Sequence, residues 1–262
     1  MSASAVIVVG GLDPLGYSGI LADARHLEAA GHPVMVVVSC LTEQSARRVH
    51  RVLPVPEEHV AACLSRLLEA EERPAAPGAV KLGLLHRPAV VSAVAETLRS
   101  ARVPVVLDPV LDAGSGEPLV EPGTLEALLG DLLPLVTVLT PNVPELARLT
   151  GSTAAADLEE RERQARRLLR SGPRAVLAKG GHAPSGDSRV IDLLVMEGGP
   201  PLRLVSPRFP GRVPRGTGCA LSSHLAGALA EGRSPVEAAR RAHERVALGI
   251  REAMERGSLR LG

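Results

Sequence analysis

The run Arg215-Gly216-Thr217-Gly218-Cys219-Ala220-Leu221-Ser222 carries the densest chemistry in the chain. A Gly-x-Gly turn opens directly into a long Ala/Leu helical pattern. The free amides and the dipole of such a helix start form an anion hole. Cys219 falls in the first turn, where the same dipole and Arg215 are expected to favour a thiolate. A nucleophile or base beside an anion hole suits phosphoryl transfer. The catalytic candidates are therefore Cys219, Gly216, Thr217 and Gly218. A small buried Cys at a helix start would account for Cys219 alone, but not for the whole loop.

Other polar residues stand where apolar runs end. Asp108 follows Val103–Leu107, a place for Mg²⁺ or its water shell, or for an ordinary cap. Asn142 and Glu145 follow Val136–Leu139. Their spacing brings an amide and a carboxylate to one face, suiting a water-bridged Mg²⁺. It is also that of a capping box, and both roles can hold together. Asn142 is the only Asn in the chain. Lys179-Gly180-Gly181-His182 follows Ala175–Ala178, and a flexible point charge there suits phosphates. The other lysine, Lys81, sits inside an apolar strand pattern and needs a partner. The loop Gly10–Gly19 holds four glycines that let backbone approach a ligand, although it fits neither G-x-G-x-x-G nor a P-loop. Asp23, in the helical pattern that follows, is either a solvent-facing carboxylate or a ligand acceptor. Cys40 and Cys63 read as core.

These positions need a scaffold of strands ending on one side. Strand patterns at Ala5–Val9, Val34–Cys40, Ala79–Leu84, Val103–Leu107, Val136–Leu139 and Ala175–Ala178 alternate with helical ones. The helical patterns are Gly19–Gly31, Glu57–Ala70, Ala89–Ala101, Thr124–Leu129, Pro144–Leu149 and Leu158–Arg170. A hairpin of Val190–Val195 with Leu202–Ser206 follows, then helices Thr217–Glu231 and Pro235–Glu255. This alternation predicts an α/β fold with a mostly parallel central sheet and helices on both faces. Ligands in such folds bind outside the carboxyl ends of the strands. With no linker or repeat, residues 1–262 read as one domain. A net charge of +1 argues against nucleic acid or a membrane surface as partner. One Tyr, one Phe and no Trp exclude aromatic platforms for single strands. No apolar run approaches the roughly 18 residues of a membrane helix. The N-terminus lacks a basic signal-peptide region, and three widely spaced cysteines point to a reducing cytoplasm without a zinc site.

The whole set of motifs, in this order, resembles the hydroxymethylpyrimidine/phosphomethylpyrimidine kinases of thiamine biosynthesis. These belong to the ribokinase-like superfamily, close to its pyridoxal-kinase branch. Gly-Thr-Gly-Cys at 216–219 is the specific mark, since most ribokinase-like enzymes carry Asp at the base position. Asp13-Pro14, Gly16, Gly19-Ile20, Ala22-Asp23, Leu41-Thr42-Glu43-Gln44, Lys81-Leu82-Gly83, Asp108-Pro109-Val110 and Ser115–Leu119 carry the rest, with the segments at 140–145 and 179–182. The resemblance implies a single-domain ribokinase-like fold and a pyrimidine pocket lined by Gly11, Asp23, Gln44 and Val110. It implies Cys219 as base near the hydroxymethyl oxygen, and the 216–218 amides on the transferring phosphoryl group. Asn142 and Glu145 would organise Mg²⁺–ATP, with Lys179 and Gly181 near the nucleotide and Asp108 and Glu145 toward the metal. It also implies a cytoplasmic homodimer. Leu12, Leu15, Tyr17, Ser18 and Leu21 depart from the family's small or polar loop residues, and Arg212–Arg215 replaces its usual Asn-Thr-His. Tyr17 is then expected to stack on the substrate ring or to fill part of its pocket. The alternatives are a B6-vitamer kinase and a catalytically weak paralogue acting as a ligand-binding or sensor protein.

Overall fold

The computed structural model describes residues 4–45, 47–69, 75–181, 188–209 and 214–261. The apolar β-branched run Ala5–Leu12 forms the buried strand β1, and helix α1 (Gly19–Ala29) follows. Next come β2 (Val34–Gln44), β3 (Val49–Pro54), α2 (Glu57–Glu69), β4 (Pro77–Leu82), α3 (Pro88–Leu98) and β5 (Val105–Leu107). Helix α4 (Thr124–Ala127) is one turn that passes into a π turn, Leu128–Leu132, and a 3₁₀ turn, Leu133–Leu135. The expected helix through Leu129 is thus replaced by tighter and wider turns, where Gly130 and Pro134 weaken α geometry. Then follow β6 (Val138–Leu139), α5 (Val143–Thr150), α6 (Leu158–Leu169), β7 (Ala175–Ala178), β8 (Arg189–Met196), β9 (Leu202–Pro207), α7 (Thr217–Ala230) and α8 (Pro235–Glu255).

The nine strands among the described residues join one sheet in the order β3-β2-β1-β4-β5-β6-β7-β8-β9. The stretch from β2 to β7 is parallel; β3, β8 and β9 add on antiparallel. Alternate residues of β1 face opposite layers, as strand geometry requires. Ile7 and Val9 join Val60, Val91, Leu132 and Leu168 on one face, while Val6 and Val8 join Leu27, Leu225 and Ala239 on the other. Helices α1, α7 and α8 therefore cover one face, and α2 to α6 the other. The expected α/β architecture is present.

Two features of this scaffold position the site. The chain winds outward from β1 to β2 and β3, then returns to place β4 on the other side of β1. Such a switch point leaves a crevice at the strand ends. Strand β2 also runs on to Gln44 and pairs with β3, a strand the sequence pattern does not announce because His50 and Arg51 break its apolar run. The pairing sets Glu43 opposite Arg51 and Leu41 opposite Leu53. This hairpin carries Thr42, Gln44 and Val49 to the rim of the crevice.

Candidate active site

An open cavity of about 490 Å³, counting its mouth, occupies the crevice at the carboxyl ends of β1, β2 and β4. Gly11, Asp23, Gln44, Val110 and Cys219 all line it. Gly11 is at the end of β1, where a Cβ would come within 3.0 Å of Cys40 Sγ and 3.2 Å of Leu84 Cδ2, so the packing there is made for a bare backbone. Lys81, Thr42 and Leu119 also line the cavity and were not expected to. The signal for Lys81 was visible as a lysine in an apolar strand. Its ammonium, 1% exposed, lies 2.7 Å from Asp23 Oδ2, and Ser223 donates to Asp23 Oδ1 at 2.8 Å. Burial opposes the charge on Lys81, yet Asp23, then Cys219 and Asp108, hold its ammonium above the usual lysine range. Breaking such a buried pair typically costs about 3–5 kcal/mol.

Asp13 organises the Gly-rich loop. Its carboxylate accepts the amides of Leu15, Tyr17 and Ser18 at 2.9, 3.1 and 3.0 Å. Gly19 has φ +64, and a Cβ there would collide with the Gly11 carbonyl. Gly216 caps α7 with φ +85, and a Cβ there would strike the Tyr17 carbonyl. The two loops therefore fit only as glycine backbones. Tyr17 is off the cavity wall. The Asp13-centred turn braces its backbone against Gly216, and its ring lies under the Arg215 guanidinium, 5.5 Å from the ring centroid. Neither stacking on a ligand in this cavity nor filling it is what this placement gives.

The expected thiolate at Cys219 is corrected. Burial, then the carboxylate of Asp23, push the Cys219 thiol up to about 12, and Lys81 opposes this only in part. Arg215, invoked as its counter-charge, is engaged with Tyr17. Two carboxylates and a dry wall outweigh one helix N-terminus.

A second cluster lies on the far side of the same helix start. Lys179 leaves β7 with its ammonium 2.7 Å from Asp108 Oδ1 and 3.7 Å from Glu145 Oε2. Thr140 and Ser222 donate to Asp108 at 3.3 and 3.4 Å. The Asn142–Glu145 capping box is present: Glu145 N donates to Asn142 Oδ1 at 2.8 Å, and Asn142 N to Glu145 Oε2 at 2.7 Å. Burial pushes the Glu145 carboxyl up to about 7; Lys179 opposes the rise and Asp108 adds to it. Burial also works against the charge on Asp108, but Lys179 and Lys81 hold that carboxyl below its usual range. Among the described residues no three His, Cys, Asp or Glu side chains group as a metal site. Asp108 and Glu145 converge on Lys179, so two hard oxygen donors are available to an ion that brings further oxygens with it. Gly181 is exposed at the loop beyond Lys179, and a Cβ there would meet nothing within 4 Å. His182 and Arg212 lie outside the described residues.

The start of α7 joins the two clusters. Cys219 faces the cavity, whereas a Cβ on Gly218 would meet Lys179 Nζ at 3.3 Å and Asp108 Oδ2 at 3.9 Å. Adjacent residues thus border an open crevice and a lysine–carboxylate cluster, with the free amides of the helix between them.

The family model for phosphomethylpyrimidine kinase matches residues 13–261. The hydroxymethylpyrimidine/phosphomethylpyrimidine kinase of Rhizobium meliloti is 36% identical over 98% of this chain and 94% of its own length. That of Streptomyces coelicolor is 38% identical over 92% of this chain and 86% of its own. Among solved structures, the phosphomethylpyrimidine kinase of Clostridium difficile superposes with a TM-score of 0.79 at 28% identity, covering 96% of this chain and 99% of that one. The ADP complex of Staphylococcus aureus pyridoxal kinase gives 0.85 at 26% identity, over 95% and 89%.

Proposed function

The chain belongs to the phosphomethylpyrimidine kinase family, and on that premise we propose that it is an ATP-dependent kinase of thiamine biosynthesis acting on hydroxymethylpyrimidine, its monophosphate, or both. One observation carries this reading beyond kinship: consecutive residues of the α7 start, Gly218 and Cys219, border the lysine–carboxylate cluster and the cavity respectively. A phosphoryl group moving from one side to the other passes the free amides of that helix start, which supply the electrostatic stabilisation such transfers depend on.

In this reading the pyrimidine lies in the cavity, with Asp23 and Gln44 on its polar edge and Gly11 and Val110 along its sides. The amides at Gly216, Thr217 and Gly218 hold the transferring phosphoryl oxygens. Lys179, Gly181 and Asn142 face the nucleotide. Asp108 and Glu145 suit Mg²⁺ arriving with the phosphates, and the ion when bound neutralises phosphate charge. Burial and Asp23 hold the Cys219 thiol above its usual range, so it must first give up its proton to water at the open mouth of the cavity before it can act as base. Lys81 favours the thiolate so formed, which takes the hydroxymethyl proton as the new O–P bond forms and ADP leaves. Tyr17 is left without a role in contacting the substrate.

The likeness to pyridoxal kinases supports a B6 vitamer as the alternative acceptor. We place the protein in the cytoplasm as a homodimer. Its balanced charge and lack of a membrane-crossing helix among the described residues fit the first; the exposed cross-strand pair Leu41–Leu53 on the β2–β3 hairpin offers apolar surface for the second. Calorimetry of hydroxymethylpyrimidine binding tests the acceptor site. Gln44→Ala should weaken binding by about three- to tenfold, the scale of one lost hydrogen bond; equal affinity in both proteins would remove the pyrimidine from this cavity.

A further inference from the structure

Two buried polar residues are not used by the reaction as described above. Asp192 stands in β8 among apolar neighbours, 7% exposed, and His243 faces it from α8, 8% exposed. A carboxylate in an apolar strand is costly to bury unless its oxygens are taken. Here both are. Oδ1 accepts the Gly180 amide at 2.7 Å, and His243 Nδ1 donates to Oδ2 at 2.9 Å.

The placement of Gly180 shows what this arrangement holds. The backbone ladder between β7 and β8 ends at Ala178 opposite Leu193. Beyond it the Asp192 side chain, instead of a backbone carbonyl, takes the next available amide. A Cβ on Gly180 would collide with the Ile191 carbonyl, to which Arg161 donates from α6 at 2.6 Å. On the other side, Lys179 N donates to the Pro141 carbonyl at 2.8 Å. The peptide after Lys179 is therefore fixed from β8, α6 and α8 together.

We propose that the Asp192–His243 pair is a positioning device for the β7 exit loop. By fixing the Gly180 peptide it sets where the Lys179 ammonium stands between Asp108 and Glu145, and so governs nucleotide affinity without touching the acceptor cavity. This rests on the reading of Lys179–Gly181 as the nucleotide side of the site.

The test is calorimetric affinity for a non-hydrolysable Mg–ATP analogue and, separately, for hydroxymethylpyrimidine, in wild type, Asp192→Ala, His243→Leu and His243→Asn. Circular dichroism and melting temperature establish that each variant is folded. Asp192→Ala and His243→Leu should weaken the ATP analogue about tenfold or more, the scale of one charge-assisted hydrogen bond, with the pyrimidine unchanged. His243→Asn, whose amide N–H can replace Nδ1–H, should restore most of the nucleotide affinity. Should Asp192→Ala fail to fold, the two His243 variants decide. A folded His243→Leu that melts lower but binds the ATP analogue as wild type does would overturn the inference, as would equal weakening of both ligands. Wild type that binds the analogue but does not phosphorylate the pyrimidine would sink the proposed reaction while leaving this inference to the affinities; wild type that binds no nucleotide would sink both.

Discussion

Cys219 and Glu145 sit in environments that move both far from their ordinary chemistry. The Cys219 thiol, pushed up to about 12 by burial and Asp23, is not a preformed thiolate. Iodoacetamide modification of Cys219, followed by peptide mass spectrometry, should therefore be slow at pH 7–8 and keep accelerating above pH 9, since the thiolate is the reactive form. Rapid labelling that levels off near neutral pH would restore the thiolate. Cys219→Ala should melt near wild type while losing about 10²–10⁴-fold in phosphoryl transfer, the usual worth of a general base. Glu145, with its carboxyl at about 7, holds its proton more tightly folded than unfolded. Its contribution to stability is thus full at acid pH and is lost as pH rises through about 7. Metal binding has the opposite sign, because Mg²⁺ needs the ionised form. The Mg²⁺ concentration for half-maximal rate should rise as pH falls below 7, and Glu145→Gln should flatten that dependence. The same slope in both proteins would mean Glu145 does not meet the ion.

At the scale of elements, the start of α7 is the part on which the account depends. Gly218→Val puts a branched side chain against Lys179 and Asp108, where an added Cβ already stands 3.3 Å from the ammonium. Activity should fall below detection while the melting temperature shifts little, because the intrusion is into the site and the helix interior is untouched. Parallel loss of both would make the glycine a requirement of the fold. Much of this was legible in sequence: β7 and α8 lie within the bounds their patterns predict, and Asn142 with Glu145 forms the expected capping box. Strand β3 was not, because an antiparallel strand at a sheet edge is defined by its partner and not by its own alternation. Nor was the state of Cys219 legible. A helix N-terminus can be read from Gly-x-Gly, but the carboxylates that face it come from α1 and the end of β5, far away in the chain. The setting of Tyr17 was hidden for the same reason, since Asp13 and Arg215 decide where it sits.

For the molecule as a whole, the sheet's switch point between β1 and β4 supplies the crevice proposed for the acceptor, and the exits of β5, β6 and β7 supply the lysine–carboxylate cluster. Helix α7 bridges them across one face of the sheet. Binding an acceptor into the crevice should stabilise the fold by RT ln(1 + [L]/Kd), about 2.7 kcal/mol at a hundredfold excess over Kd, visible as a raised melting temperature. Family membership and architecture point to a pyrimidine kinase, whereas the likeness to pyridoxal kinases shows that the fold alone does not choose the ring. In the proposed reading the choice falls to the cavity wall that Gln44, Asp23 and Val110 share with Cys219. The most direct measurement is therefore ATP-dependent phosphorylation of hydroxymethylpyrimidine, its monophosphate and pyridoxal under one set of conditions, with products identified by mass. The account predicts phosphate transfer to the pyrimidine acceptors with a higher kcat/KM than to pyridoxal, and loss of that transfer in Cys219→Ala. Preferential turnover of pyridoxal, or none with any of the three, would contradict it.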